Sequence, residues 1–430
     1  MSMTTSAAII LAVMVAAYII AKILKLSTEL SMFAAALAGG VAGGAGLPAR
    51  HIVEGAFTYL DISLIFITAT LFMNLLKESG GVVFVIRRIL VRFHNHKFLL
   101  FAMLAVLMII PGALTGAGSV TVLIVGGLVA TVLNYMGLSK PKVAAMIFIC
   151  AGMSAAAPPV SLWAMLTAAG VNMPYVGFFL PLMIPCLLLA VATMFILGWK
   201  AKPADLELAL RELPEAPAGM NWFKVALPFL VFFLLLVAGR IWPFAFPIMG
   251  LPLLFACAAV FTLVLSPIKI AFWETARRTV HQLLPLIGTL TCVGVLVQMM
   301  TLVGVRGLIA VTVVTLPALV VMATLFITLP ISESVLMWGA APVLGVPLVL
   351  LFNTMNLNPI VALAGMSLIW PLGDAIPPTA IIGRLTVETV GMKEKYPAFL
   401  KYCIVPALLL IAVGTAMVVF SKKLAFLTVF

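Results

Sequence analysis

Of the chain's 430 residues, 64% are hydrophobic and only 9% are charged, and the formal net charge is +12. Ordinary soluble domains are about 45–50% apolar and about 25% charged, so this composition excludes a soluble globule and a disordered chain alike. The sequence is that of an integral membrane protein, and its positive charge reads as Lys and Arg retained at cytoplasmic helix ends rather than as a nucleic-acid surface.

A hydrocarbon core about 30 Å thick takes ~20 residues per helical crossing, so this length allows roughly eleven to thirteen membrane segments. Met1-Ser-Met-Thr-Thr-Ser lacks a basic n-region and a clear cleavage site and is read as mature chain. In the first half, apolar runs fall at 7–21, 30–47, 56–76, 98–114, 120–136, 143–153, 160–170 and 175–198. Asp61 is either a helix-end residue or a functional acid. His94 and His96 stand beside Arg92 and Lys97, where a solvated loop is expected. The one polar connector, 199–224, holds Lys200, Lys202, Asp205, Glu207, Arg211, Glu212 and Glu215; it tethers two halves, and Asp205 to Glu212 has the pattern of a short surface helix. Runs then follow at 225–239, 251–266, 283–303, 308–329, 335–352, 360–372, 379–387 and 403–420.

Several of these runs are too short to span and are interrupted by Gly and Pro, the mark of broken helices and re-entrant hairpins. The predicted division is a first half, 1–198, with a hairpin at about 111–136 and a broken helix at about 143–170. After the connector comes a second half, 225–430, with a hairpin at about 330–352 and a broken helix at about 360–390. Three matches in the same order argue for a duplication. Ala151-Gly-Met-Ser154 before Pro158-Pro159 resembles Ala364-Gly-Met-Ser367 before Pro377-Pro378; Pro111 matches Pro330; Gly81 matches Gly304. Basic residues at Lys22, Lys25, Arg87, Arg88, Arg92 and Lys97, set against Lys269, Arg277 and Arg278, give the halves opposite orientations, as inverted repeats require.

No GxxxxGK[ST], HExxH or GxSxG occurs, and the five cysteines lie in apolar runs without a CxxC pair, so neither an enzyme nor a resident cofactor is expected. Paired prolines remove amide donors, free upstream carbonyls and force the chain out of helical geometry. Such breaks let carbonyls hold a cation and half-helix N-termini face an anion. Ser154, Pro158, Pro159 and Ser161 are the candidates at one break, with Ser367, Pro377, Pro378 and Thr379 at the other. Simple proline kinks with back-bonded serines are the alternative. Thr115, Gly116 and Ser119, and Ser332 and Ser334, are candidate hairpin tips, with tight packing of small residues as the competing role at the first. Ionisable groups at depth are functional candidates by default. Glu333 and Asp374 are the preferred coupling acids, whereas Arg384 and Glu388 are placed to pair with each other and Asn353, Asn356 and Asn358 to make a turn.

Together these residues resemble the large membrane subunit of tripartite (TRAP-type, DctM-like) dicarboxylate transporters, within the ion-transporter superfamily. The resemblance rests on Thr115-Gly-Ala-Gly-Ser119, Asn134-Tyr-Met-Gly137 and Ala157-Pro-Pro-Val-Ser161 in the first half. In the second half it rests on Leu357-Asn-Pro-Ile360 and Leu372-Gly-Asp-Ala-Ile-Pro-Pro-Thr379 with Gly383. It implies an all-α polytopic membrane protein with an inverted repeat, two re-entrant hairpins, two broken helices, and a scaffold carrying an elevator-type transport domain. It also implies uptake of small organic anions such as C4-dicarboxylates across the cytoplasmic (inner) membrane, coupled to Na⁺ or, alternatively, H⁺. On matched positions the ion and substrate sites fall at Thr115, Gly116, Ser119, Ser154, Pro158, Pro159 and Ser161, and at Ser332, Ser334, Asp374, Pro377, Pro378 and Thr379. Na⁺ is expected at Ser154, Ser161, Asp374, Thr379 and neighbouring carbonyls. Implied partners are a small four-helix membrane subunit and an extracytoplasmic binding protein. The sequence departs from the family at Ala117-Gly118, at Val160 and in the extra acid, Glu333. A stand-alone carrier and a channel or non-transporting membrane partner are the other classes open to this sequence.

Overall fold

The computed structural model describes residues 3–429 with the exception of Pro243 and Ile248; Met1 and Ser2, which open the segment read as mature chain, lie outside the described residues. Lipid offers backbone groups no hydrogen bonds, so apolar runs close their backbones on themselves as helices. The first half begins with α1 (Met3–Ile23), α2 (Thr28–Ala42), α3 (Ala49–Phe57) and α4 (Leu60–Glu78). Gly80, at φ 81°, turns the chain into α5 (Gly81–Phe93). Helix α6 (Lys97–Thr115), α7 (Gly118–Thr121), a π-helical turn Val122–Gly126 and α8 (Gly127–Tyr135) make the first hairpin. Helix α9 (Lys140–Ala156) stops before Pro158-Pro159 and resumes as α10 (Leu162–Gly170), followed by α11 (Phe179–Gly198).

The connector carries α12 (Leu206–Glu212), whose first turn is capped by the Asp205 carboxylate accepting from the Leu208 N–H. It is docked rather than loose: Arg87 Nη1 donates to the carbonyls of Leu210, Leu213 and Pro214 at 3.0, 3.0 and 3.1 Å. The second half runs α13 (Trp222–Ile241), α14 (Leu251–Leu265) and α15 (Phe272–Leu302). Gly304, at φ 79°, then leads into α16 (Val305–Thr315). Helix α17 (Ala318–Leu336), a 3₁₀ turn Met337–Gly339, a π-helical turn Ala341–Gly345 and α18 (Val346–Thr354) form the second hairpin. Helix α19 (Pro359–Ile369) passes through a 3₁₀ stretch Trp370–Ala375 to Pro377-Pro378; α20 (Ile381–Val390) and α21 (Tyr396–Val419) complete the chain before a short turn.

This is a polytopic α-helical membrane protein. Among the described residues nine helices are long and apolar enough to cross a bilayer. That is fewer uninterrupted spans than eleven to thirteen, because the hairpins and breaks divide the remaining apolar sequence into short helices. Neither Pro111 nor Pro330 opens its hairpin: each lies inside a longer first limb. Arg384 and Glu388 form no ion pair, and the Arg384 guanidinium instead faces the Pro378 carbonyl at 3.5 Å. Asp61 is an exposed first-turn residue of α4. Asn358 caps α19 by accepting from the N–H groups of Ile360 and Val361.

Helices α1 to α4 pack with α13 to α15 as one layer, and α6, α9 to α11 and α17 to α21 pack as the other. The two broken helices lie deepest. Every residue of α9 from Val143 to Ala156 is buried, and so is every residue of α19 from Val361 to Ile369.

The repeat has a constant register of 219 residues from the hairpins onward. Pro111 matches Pro330, the π turns match, Gly137 (φ 77°) matches Asn356 (φ 55°), and each proline of one break matches one of the other. The two Ala-Gly-Met-Ser tetrads are 213 residues apart and therefore do not correspond. In this register Ala151 to Ser154 stand opposite Trp370 to Gly373. Gly365 serves close packing on α21, where a methyl group would come within 2.5 Å of the Gly414 carbonyl, whereas Gly152 faces Pro371. The tetrads recur because close helix packing in lipid favours small residues. Upstream, the equivalent of Gly304 is Gly80 rather than Gly81, since both take a left-handed φ.

Gly152 and Pro371 are themselves counterparts, and a methyl group at Gly152 would lie 3.0 Å from the Pro371 Cβ. A residue meets its own counterpart only on a two-fold axis, so the approximate axis runs through this crossing. The exchange around it is reciprocal: α10 packs on the π turn of the second hairpin, and α20 on that of the first.

Candidate functional site

In the first repeat, hairpin and break meet at Ser154. Its Oγ donates to the Ala151 carbonyl at 2.7 Å and shares a 2.8 Å hydrogen bond with Thr121 Oγ1 on α7. Gly112 of α6 lies so close that a methyl group there would overlap Ser154 Oγ. Past the prolines, the Val160 N–H donates to the Ala113 carbonyl at 2.9 Å and fastens the break to the hairpin. Thr115 Oγ1 is turned back onto the Pro111 carbonyl at 2.7 Å, Gly116 takes φ 67° at the tip, and Ser119 is half-buried. Ser161 heads α10 without capping it: its hydroxyl is buried and unpartnered, while its N–H donates to the Tyr175 hydroxyl at 3.2 Å.

The second repeat keeps this backbone and changes the chemistry. Gly373 stands where Ser154 does, and a methyl group on it would lie 2.6 Å from Glu333 Cβ, so the small residue has moved from the hairpin to the broken helix. Glu333 is fully buried and neither carboxyl oxygen has a hydrogen-bond partner; Asp374, next in sequence to Gly373, is 2% exposed with Oδ2 unpartnered. No described Lys, Arg or His pairs with either acid. Ser332 and Ser334 donate to carbonyls of their own helix, Leu329 and Ile331, at 2.7 and 2.8 Å. Thr379 donates through N–H and Oγ1 to the Ser334 carbonyl at 3.3 and 2.9 Å. Pro377 and Pro378 are exposed, whereas Pro158 is buried and Pro159 half-buried.

The two sets join across the axis. Trp163 of α10 lies beside the Glu333 carboxyl, outside strict hydrogen-bond geometry. Its counterpart Ile382 on α20 reaches the first hairpin at Gly118. Thr167 of α10 donates to the Ala341 carbonyl of the second π turn at 3.1 Å. Thus the candidates fall into two clusters, Thr115, Gly116, Ser154, Pro158 and Ser161 against Ser332, Glu333, Ser334, Asp374 and Thr379. Among the expected Na⁺ ligands, Ser154 and Ser161 belong to the first cluster and Asp374 and Thr379 to the second.

Thr121, Trp163, Tyr175, Tyr18 and Tyr396 carry no local sequence signal that marks them as site residues. Tyr18 of α1 donates to the Val335 carbonyl at the second hairpin at 2.5 Å, and Tyr396 donates to the Ala375 carbonyl at 2.8 Å. These contacts span up to 317 residues and leave no local pattern. Gly112, adjacent to Pro111, carried the one usable signal. Chemically, the breaks supply carbonyls and half-helix N-termini, the first cluster adds hydroxyls, and the second adds two unpaired carboxyls. Among the described residues no group of three or more His, Cys, Asp or Glu side chains forms a metal-holding cluster.

No protein-family model and no curated protein matches the sequence. Among solved structures the chain is similar to the YdaH transporter of Alcanivorax borkumensis, described as having an unusual topology, with 13% identity over 88% of each chain and a TM-score of 0.63. It is also similar to MtrF of Neisseria gonorrhoeae, described as illuminating a class of antimetabolite efflux pumps, with 13% identity, coverage of 87% of this chain and 83% of that one, and a TM-score of 0.61. At such identity the likeness is one of fold.

Proposed function

We propose that the protein is a secondary active transporter of small organic anions that works by alternating access and performs no covalent chemistry. The observation that carries this reading is the pair of hairpin-and-break assemblies meeting reciprocally at Gly152 and Pro371. Discontinuous helices at a repeat interface are where carriers bind substrate and ion. The two transporter structures of similar fold support the general class.

The second cluster gives coupling a physical cause. Two unpaired buried carboxyls repel an incoming anion and call for a compensating cation. Once a cation is seated beside Glu333 and Asp374, an anion binds at the half-helix N-termini; neither is favourable alone, and that difference is a coupling free energy. Na⁺ is the proposed cation, with Ser154, Ser161, Asp374, Thr379 and break carbonyls as ligands. Because no lysine or arginine balances the acid pair, a proton is the second reading. The finer proposal is the large subunit of a tripartite C4-dicarboxylate uptake system in the inner membrane, with a four-helix subunit, an extracytoplasmic binding protein and a mobile transport domain moving against the scaffold.

The test is uptake into proteoliposomes across a panel of carboxylates, with a Na⁺ gradient, with a pH gradient, and with neither. Saturable accumulation driven by one of the gradients is expected. Flux that neither saturates nor accumulates against a gradient would replace the carrier with a channel.

A further inference from the structure

A cavity of about 460 Å³ lies between α13 and the first break and borders the first cluster at Pro158. Its walls include Pro158, Pro159, Phe233 and the Tyr175 and Phe178 rings, which stack at 5.0 Å with an interplanar angle of 11°. A second apolar cavity of about 280 Å³ also lines Pro158, Pro159 and Phe233 and continues along the first hairpin past Ile109 and Ala113. The first has the volume of a small-molecule site.

One charge faces this apolar space. Arg240, in the last turn of α13, lines the cavity and takes part in no described ion pair. From Val225 to Ile268 it is the sole charged residue in the sequence. A guanidinium left unpaired at an apolar wall selects a ligand with one anionic group and an apolar body, since that ligand alone satisfies both surfaces.

We propose that this cavity binds an amphiphilic organic monoanion, its carboxylate on Arg240 and its aromatic or aliphatic body against Pro158, Pro159 and Phe233. The site shares Pro158 and Pro159 with the first break but does not depend on the transport reading, because it is tested by binding alone.

The experiment uses the full chain in phosphatidylcholine nanodiscs and 4-phenylbutyrate as probe, measured by equilibrium dialysis. Saturable binding is expected. Arg240→Gln should weaken it about tenfold or more, the scale of a lost charge-assisted hydrogen bond, with partial recovery in Arg240→Lys. Phe233→Ala should also weaken it by about tenfold. In the unaltered protein, 4-phenyl-1-butanol should bind at least about tenfold more weakly than the acid, a comparison that holds even if a variant fails to fold. Equal binding of acid and alcohol, or unchanged affinity in Arg240→Gln, overturns the proposal. So does loss of probe binding in phosphatidylglycerol nanodiscs when Arg240→Gln no longer retains that lipid, because the groove would then be a lipid site.

Discussion

In the first repeat the broken helix meets its hairpin through hydroxyls, Ser154 with Thr121, and leaves the Ser161 hydroxyl free. In the second, the same junction is made by Gly373 beside Glu333, with Asp374 adjoining and no hydroxyl in that place. Tyrosines treat the two breaks in opposite senses: Tyr175 accepts the Ser161 N–H of the first, and Tyr396 donates to the Ala375 carbonyl of the second. Duplication therefore kept the backbone device, two helices unwound at matched prolines, and let the side chains specialise. One half offers neutral hydroxyl oxygens and the other two buried carboxyls without a basic partner among the described residues.

The sharpest way to break this comparison is to remove the device from one side at a time. Replacing Pro158 and Pro159 by alanine restores two amide donors and favours a continuous α9–α10 helix. Uptake in proteoliposomes should fall by about a hundredfold or more, as misplacement near a site can cost, and the pair Pro377→Ala with Pro378→Ala should do the same. If either pair leaves uptake normal, that break has no part in transport.

Next in size is the charge asymmetry. Glu333→Gln and Asp374→Asn should each reduce cation-dependent initial rates by about tenfold or more, given what unpaired charge at depth costs. Leu114→Ala, at the position equivalent to Glu333, should leave the dependence on Na⁺ and on pH unaltered. Rates titrated against Na⁺ at fixed pH, and against pH without Na⁺, separate the two coupling ions. An unchanged cation dependence in both acid variants would remove the specialised second half.

The exchanged positions of small residue and side chain give a third test. Gly112→Ala should destabilise the protein by about 1–3 kcal/mol by overpacking against Ser154. Adding Ser154→Gly, which copies the arrangement at Gly373, should recover part of that loss. Thermal unfolding of the two single variants and the double variant supplies the cycle. Additive effects would mean that the two positions do not share one space.

The smallest effect concerns the turns after the hairpins. Gly137 (φ 77°) has open space around it and is matched by Asn356 at φ 55°. Gly137→Asn should therefore shift stability by less than about 0.5 kcal/mol, whereas Gly137→Val should cost about 1–2 kcal/mol for a left-handed β-branched residue. The midpoints of thermal unfolding measure both.

Much of this design was legible residue by residue. Pro158-Pro159 and Pro377-Pro378 marked the breaks because a proline acts on its own neighbours. Asp205 announced the start of α12 for the same local reason, whereas the capping of α19 by Asn358, read from the sequence as a turn residue, is a finding of the structure. Glu333 and Asp374 stood out because charge is rare in this chain. What misled was identity without geometry: the Ala-Gly-Met-Ser tetrads looked homologous, yet one packs on Gly414 and the other on Pro371.

By itself, then, the sequence determined the solvent, the positions of the breaks and the presence of two buried acids, because each follows from composition or from local backbone chemistry. Tertiary structure alone decided the 219-residue register, the meeting of Gly152 with Pro371, the placing of Glu333 against Gly373 and Asp374, and the facing of Arg240 into an apolar cavity. Those depend on close packing between segments far apart in the chain, where one methyl group more or less decides which surfaces can touch.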